Sequence, residues 1–415
     1  MRLTNWAGNI VFTPRRFVRP TSIEQVQDLV TGAEHVRVLG TGHSFSDVAA
    51  GADLLLSLAD LPLEVDVDGT ASTVRVSAGA RFGDLMPPLH KAGLALHNTG
   101  SLPHISVAGA CATGTHGSGS GNGCLATAVV EADLVAADGS RHTIRAGDPE
   151  FEGSVVAMGL LGVVTATTLR VRPAFDVRQF VYDDLPFAAL VAHFDEVMDS
   201  AYSVSAFTRW QRPVFDTVWR KQLADDPAAP PSWLGAVLAR EPRNPVPVMP
   251  AENATQQLGV PGPWHERLPH FRLEFTPSRG EELQSEYLLP RHQATDALTA
   301  VDAVREVIAP AVQVCEVRTV AADRLWLSPA YGRPTAALHF TWVDDVEVVA
   351  PAVRALEGAL AGYDARPHWG KVFGIDRDRV RALYPKLPDF EALVRRHDPG
   401  GRFGNRFTAA YLDLA

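Results

Sequence analysis

The chain has 415 residues, 46% of them hydrophobic and 21% charged, enough for two or three packed domains of ordinary size. Its formal net charge of -10 argues against a nucleic-acid binder, which needs a basic face, and no apolar run reaches the length of a membrane span. Cys111, Cys124 and Cys315 are odd in number and widely spaced, so they suggest neither a disulfide framework nor a zinc site. No apolar signal core follows Met1-Arg2-Leu3-Thr4-Asn5-Trp6, and a cytoplasmic setting is expected.

Thr21-Ser22-Ile23-Glu24-Gln25 reads as a capping box, with Thr21 as the cap and Glu24 three positions later. Ile23, Val26, Leu29 and Val30 then recur at helical spacing. Val36 to Leu39 reads as a short buried strand, ended by Gly40 and Gly42 with His43 at the tip of the loop. Taken alone, this loop is either a turn carrying an incidental histidine or a way of presenting a reactive side chain to a ligand. Leu54-Leu55-Leu56 reads as a second buried strand. Leu63, Val65 and Val67, then Asp68-Gly69, then Val74 and Val76 read as a hairpin. Phe82 to Ala92 reads as a helix ending near Gly93. Short strands of this kind predict an α+β domain and not a regular βαβ series.

From Ser101 to Gly123, small, polar and glycine residues dominate. This is either a linker or a long backbone surface whose N–H groups meet phosphate or ring oxygens. The interleaved His, Thr and Pro favour the second reading. No Gly-x-Gly-x-x-Gly fingerprint fits, the nearest being Gly121-x-Gly123-x-x-Ala126, and there is no P-loop. Val129 to Val135 resumes a core strand, Ala137-Asp138-Gly139-Ser140 makes a hairpin turn, and Val163 to Val171 is a further strand. After Arg172-Pro173 aromatic residues and Pro-rich loops increase, and a domain boundary is expected near residue 173.

In the second region Phe271 to Phe275 alternates as a strand. Val312 to Val320 does too, with Glu316 and Arg318 on one face, and so does Leu338 to Trp342, with His339 and Thr341 on one face. These predict a substantial sheet with one polar face, either solvated or lining a site. His265-Glu266-Arg267-Leu268-Pro269-His270 has the look of a zinc-protease helix, but the spacing is one residue too long and Pro269 breaks the helix, so no metal site is expected.

The stretch Arg37-Val38-x-Gly40-x-Gly42-His43-Ser44 resembles the flavin-attachment loop of the vanillyl-alcohol-oxidase (PCMH-type) group of FAD enzymes. Ser101 to Gly109 and Ala112 to Gly119 are similar to that group's second FAD-binding stretch. Sugar-lactone oxidases share this much. The bacterial alditol (xylitol) oxidases share more: Asn5-Trp6-Ala7-Gly8-Asn9, Pro261 to Arg272, Gln284-Ser285-Glu286-Tyr287-Leu288, Glu316 to Asp323, Trp326 to Gly332 and Arg366 to Lys371. The resemblance runs from Asn5 to about Phe407.

It implies two domains: a PCMH-type FAD-binding domain over residues 1–173, rejoined by a C-terminal segment over 373–415, and an α/β cap with a large antiparallel sheet over 174–372. It implies FAD bonded covalently to His43 through the flavin 8α-methyl. Val38, Leu39, Gly40, Thr41, Gly42 and Ser44 would form the attachment loop. Ser106, Gly109, Thr113, Gly114, Thr115, His116 and Val164 would line the cofactor. Ser101 and Lys371 would touch both cofactor and substrate, and Glu316, Arg318 and Thr341 would hold substrate hydroxyls. Arg318, Lys371 and His339 would carry the chemistry. The implied partners are a polyol and dioxygen, the products an aldose and hydrogen peroxide, and the chain a monomer. On the residues alone, a cross-sheet ion pair with no catalytic role is the favoured reading of Glu316 and Arg318, and the proton acceptor is Lys371, His339 or a water. The competing activities are oxidation of an aldonolactone and non-catalytic binding of a flavin or sugar.

Overall fold

A computed structural model describes residues 3–51, 53–247, 249–275 and 280–414. The strands Arg16–Val18 and Val36–Val38 both pair in parallel with Leu54–Leu56, which lies between them. Helix Ile23–Thr31 buries Val26 and Val30 against Val36, Leu54 and Leu56. The cap of this helix lies one residue later than the spacing suggests. Extended Ser22 accepts from the Gln25 N–H, and the Gln25 amide oxygen accepts from the Thr21 N–H. Gln25 thus takes the reciprocal role expected of Glu24.

A five-stranded antiparallel sheet follows in the order Val65–Asp68, Thr73–Ser77, Val163–Arg170, Val129–Val135, Arg141–Arg145. Between these strands run helix Phe82–Lys91 and the glycine-rich stretch. That stretch is largely buried and contains the short helix Val107–Ala112.

The largest element is a ten-stranded sheet. Its centre runs Val214–Leu223, Ser203–Thr208, Val312–Val320, Thr335–Val343, Glu282–Pro290, all antiparallel. Period-2 alternation gives it two unlike faces. Val204, Ala206, Cys315, Val317, Leu338 and Phe340 pack under helices Ala294–Asp302 and Val346–Leu360, which contribute Leu298, Val301, Val349 and Leu356. The alternate residues, Glu316, Arg318, His339 and Thr341 among them, face an internal cavity. This polar face is not solvated: Glu316, Arg318 and Thr341 are each 5% exposed or less.

Phe271 to Phe275 is not a strand. Phe271 makes an isolated bridge to Ala254, and the chain then turns. His270 and Phe271 donate their N–H groups to Ser101 O, and Arg272 donates to Asn253 O, so loops satisfy this backbone and not a neighbouring strand. The alternation reflects loop packing: Leu273 fills the space above Gly83.

The C-terminal helices Arg377–Leu383 and Leu387–His397 place Val380, Leu387, Phe390 and Leu393 in the core that holds Leu85, Leu89 and Val107. Arg37 fastens this return. Its buried guanidinium donates to Phe403 O at 2.5 Å, to Met158 O at 2.7 Å and to Val48 O.

Candidate functional site

The cavity measures about 340 Å³ and is bounded on one side by the loop Leu39 to Ser46 and the glycine-rich stretch, on the other by the ten-stranded sheet. The loop is held from outside by the N-terminal segment. Asn5 Nδ2 donates to Ser44 O at 2.9 Å, Asn9 Nδ2 to Phe45 O at 3.1 Å, and the Trp6 N–H to Gly42 O at 2.8 Å. Gly42 sits at φ +72°, the left-handed region, and a Cβ on Gly40 would lie 2.4 Å from Ser106 Oγ. Both positions therefore require glycine. Consequently five successive N–H groups, Gly40 to Ser44, find no acceptor among the described residues. A concave row of free N–H groups suits a ligand that offers only acceptors, such as a pyrophosphate.

His43 stacks on Trp6 with centroids 5.4 Å apart, and its Nδ1 lies 3.0 Å from Thr41 Oγ1. That hydroxyl also accepts from the Ser106 N–H at 3.1 Å, which joins the loop to the glycine-rich stretch. Burial, with His104 and Lys371 nearby, pushes His43 down to about 4, so its imidazole is neutral at physiological pH.

On the sheet side, strand register places Glu286, His339, Glu316 and Phe207 in one cross-strand row. Arg318 Nη2 donates to Glu286 Oε1 at 2.5 Å, and its Nε lies 3.6 Å from Glu316 Oε2 without a hydrogen-bond partner among the described residues. Burial opposes ionisation of both carboxyls, but Arg318 together with the neighbouring histidines, His116 at Glu286 and His270 at Glu316, outweighs it and holds each well below the ordinary carboxylate range. His116 Nε2 stands 3.2 Å from the same Glu286 oxygen. Gln284 Oε1 accepts from Lys371 and lies 3.1 Å from His339 Nε2, while its amide donates to Glu282. Lys371 also lies over the Phe45 ring at 5.1 Å. Burial lowers Lys371 to about 8 against the pull of Glu286, and takes His339 and His368 to about 3. On the sheet side the described residues thus supply a fixed cation, Arg318, a tunable amine, Lys371, and the neutral imidazoles of His339 and His368 at neutral pH. The hydroxyls of Ser101 and Thr341 make no hydrogen bond among the described residues and border the cavity.

Every residue expected at the cofactor or substrate lines this cavity except Gly114. Gly114 instead turns the chain after helix Val107–Ala112 at φ +71°, and the place of its Cβ lies 3.0 Å from Pro329 Cδ. Four residues at the site or behind it, Gln284, Glu286, His270 and Lys221, carried no expected role. Gln284 and Glu286 show the same two-residue spacing as Glu316 and Arg318, which was the available signal. His270 bonds Glu316 at 2.8 Å, whereas His265 packs edge-on to His90 elsewhere. The Lys221 side chain, 47 residues or more from every group it bonds, has no local signature. Burial lowers it to about 7 and His270 to about 4.

Residues 14–145 match the family model described as an FAD binding domain, and residues 277–411 match that of D-arabinono-1,4-lactone oxidase. An alditol oxidase of a Streptomyces species is 54% identical over 99% of each chain. L-gulono-1,4-lactone dehydrogenase of Mycobacterium tuberculosis is 30% identical, over 99% of this chain and 98% of its own. Among solved structures, cholesterol oxidase from B. sterolicum shares the fold, with a TM-score of 0.79 at 16% identity over 99% of this chain and 96% of that one. Given full-length identity of this order, with the flavin-domain match falling on the glycine loops of the cavity, the chain belongs to the alditol oxidase family of PCMH-type flavoproteins.

Proposed function

We propose that this chain oxidises the terminal primary hydroxyl of alditols such as xylitol and sorbitol, with FAD held covalently by His43 and dioxygen as final acceptor. The observation that carries the reading is the donor and acceptor set facing the cavity: Glu316 Oε2, Arg318 Nε, Lys371 and the free hydroxyls of Ser101 and Thr341. A ligand made of hydroxyls needs both donors and acceptors, and each unmatched partner in a buried site is costly. The residues also fit the cofactor. The free N–H row of Gly40 to Ser44, the close approach at Gly40, and Ser106, Gly109, Thr113, Thr115, His116 and Val164 would hold it. Bound FAD supplies a two-electron acceptor for hydride at N5 and delivers the pair to dioxygen, giving hydrogen peroxide.

The chain's own residues do the rest. Ser101, Glu316 and Thr341 orient the polyol. Arg318, charged at any accessible pH, stabilises negative charge as the hydroxyl proton leaves. Lys371 in its amine form takes that proton, since its acidity lies near the working pH. The layout is read as an FAD-binding domain over 1–173, a cap over 174–372 and a returning segment over 373–415. Its support is that the five-stranded sheet ends at Arg170, the ten-stranded sheet spans residues 176–367, and the last helices pack into the first core. No helix among the described residues is long and apolar enough to cross a membrane. Three free, buried cysteines favour a reducing, cytoplasmic setting.

Oxygen uptake and peroxide release with xylitol, sorbitol and L-gulono-1,4-lactone test the activity. Both alditols should turn over faster than the lactone; the opposite order overturns the reading in favour of a lactone oxidase, which the match over residues 277–411 would then explain. For Lys371, kcat/KM should rise about tenfold per pH unit up to about pH 8 and level off above it. A profile flat from pH 6 to 9 would remove Lys371 as the acceptor and leave His339, already neutral throughout that range.

A further inference from the structure

Beside Glu316 a buried polar chain runs from His270, at the cavity wall, back to Lys221. Lys221, on the strand Val214–Leu223, is 1% exposed. Its Nζ lies 2.5 Å from Leu268 O, 3.2 Å from Pro269 O and 3.0 Å from His270 Nδ1. Glu316 is ionised and can only accept, so the neutral His270 ring keeps its proton on Nε2 and turns the Nδ1 lone pair toward Lys221, which donates as ammonium or as amine. Nε2 lies 2.8 Å from Glu316 Oε1 and donates to it. The ring is also wedged edge-on against Phe207 and Trp219, each with centroids 5.5 Å away. Its backbone N–H donates to Ser101 O at 3.1 Å, so one segment ties together two of the residues read as substrate ligands.

We propose that Lys221 and His270 are positioning residues: Lys221 fixes the His270 tautomer, and His270 engages Glu316 Oε1 so that Oε2 is aimed at a polyol hydroxyl. This rests on the alditol reading of the site. Without Lys221 the carboxylate alone opposes a proton on Nδ1; where the proton sits there, Nε2 presents a lone pair to Glu316, which turns away.

The test is a double-mutant cycle on the FAD-loaded enzyme with sorbitol as substrate. Lys221→Met should raise KM about tenfold and leave kcat within about threefold, as expected for loss of a binding geometry and not of a chemical step. In His270→Gln the side-chain amide donates to Glu316 whatever occupies position 221. Lys221→Met should therefore add less than about twofold to KM in that background. Multiplication of the two single effects, or a fall in kcat at constant KM, overturns the proposal in favour of a structural role for Lys221. A second readout needs no turnover. Side-chain 15N spectra of imidazole-labelled enzyme should show His270 protonated at Nε2 in the parent and redistributed in Lys221→Met; a parent ring protonated at Nδ1 overturns the proposal. If the parent oxidises no alditol, the alditol reading fails, and the 15N spectra still decide the relay.

Discussion

Arg318→Met is expected to lower kcat/KM for sorbitol by about a thousandfold and to cost about 3 kcal/mol of stability. The activity loss follows from position. Arg318 is the one residue of the site that carries a permanent positive charge next to both carboxylates and keeps a buried donor, Nε, without a partner among the described residues. A donor left open in a buried site is available to the oxygen on which negative charge develops. The stability loss follows from what remains. Glu286 and Glu316 are both buried, and removing their common cation leaves two desolvated like charges across one row of the sheet.

The pH dependence separates this from general loss of packing. In the parent both carboxyls are held below their unfolded acidity, so the stabilisation is fully present above the ordinary carboxylate range and is lost only as pH falls below it. In Arg318→Met, burial without the counter-charge raises them, and protonation relieves the repulsion. The melting-temperature gap between parent and variant should therefore be widest near pH 8 and should narrow toward pH 5. Arg318→Lys, which keeps the charge but not the fork, should recover part of the stability and little of the activity. A gap independent of pH, or kcat/KM within threefold of the parent, would show that Arg318 is neither the counter-charge nor the donor.

Much of this site could be read from periodicity. In Val312–Val320, Cys315 and Val317 sit on the apolar core and period 2 projects Glu316 and Arg318 to the opposite side, although the register shifts between Val312 and Val314. Glu282–Pro290 carries Gln284 and Glu286 in the same way, but Ser285 interrupts its apolar face. Ser285 is buried there because its hydroxyl donates to Val372 O, a partner 87 residues away. Phe271 to Phe275 has the opposite fault, a strand-like pattern produced by two loops. What local pattern cannot supply is which polar groups pair. Glu316 could be assigned a ligand or an ion-pair role from its strand, but the groups that constrain it, His270 and Lys221, come from a Pro-flanked loop and from a strand of otherwise ordinary appearance. The loop of His43, which the resemblance assigned to the cofactor, lines the cavity. Gly114, assigned to the cofactor in the same way, does not line it and packs against Pro329.

His43→Ala should abolish the covalent retention of flavin while leaving the fold of the loop intact. The loop's shape does not depend on the imidazole. It is set by Gly42 at φ +72°, by the Trp6 N–H on Gly42 O, and by Asn5 and Asn9 on the carbonyls of Ser44 and Phe45. The imidazole is the piece free to react: it is stacked on Trp6, steadied by Thr41, and neutral because burial and nearby His104 and Lys371 disfavour its charged form. A neutral ring keeps the lone pair that bond formation to the flavin methyl requires. Acid precipitation of the parent should carry essentially all of the yellow colour into the pellet, and His43→Ala should release it all to the supernatant. Because Gly40 to Ser44 still offer their N–H groups, the variant should bind added FAD reversibly and recover measurable alditol turnover in its presence. Colour in the supernatant of the parent itself would reject the linkage. Failure of His43→Ala to rebind FAD would mean that the imidazole also shapes the cradle, a role the loop's hydrogen bonds do not assign to it.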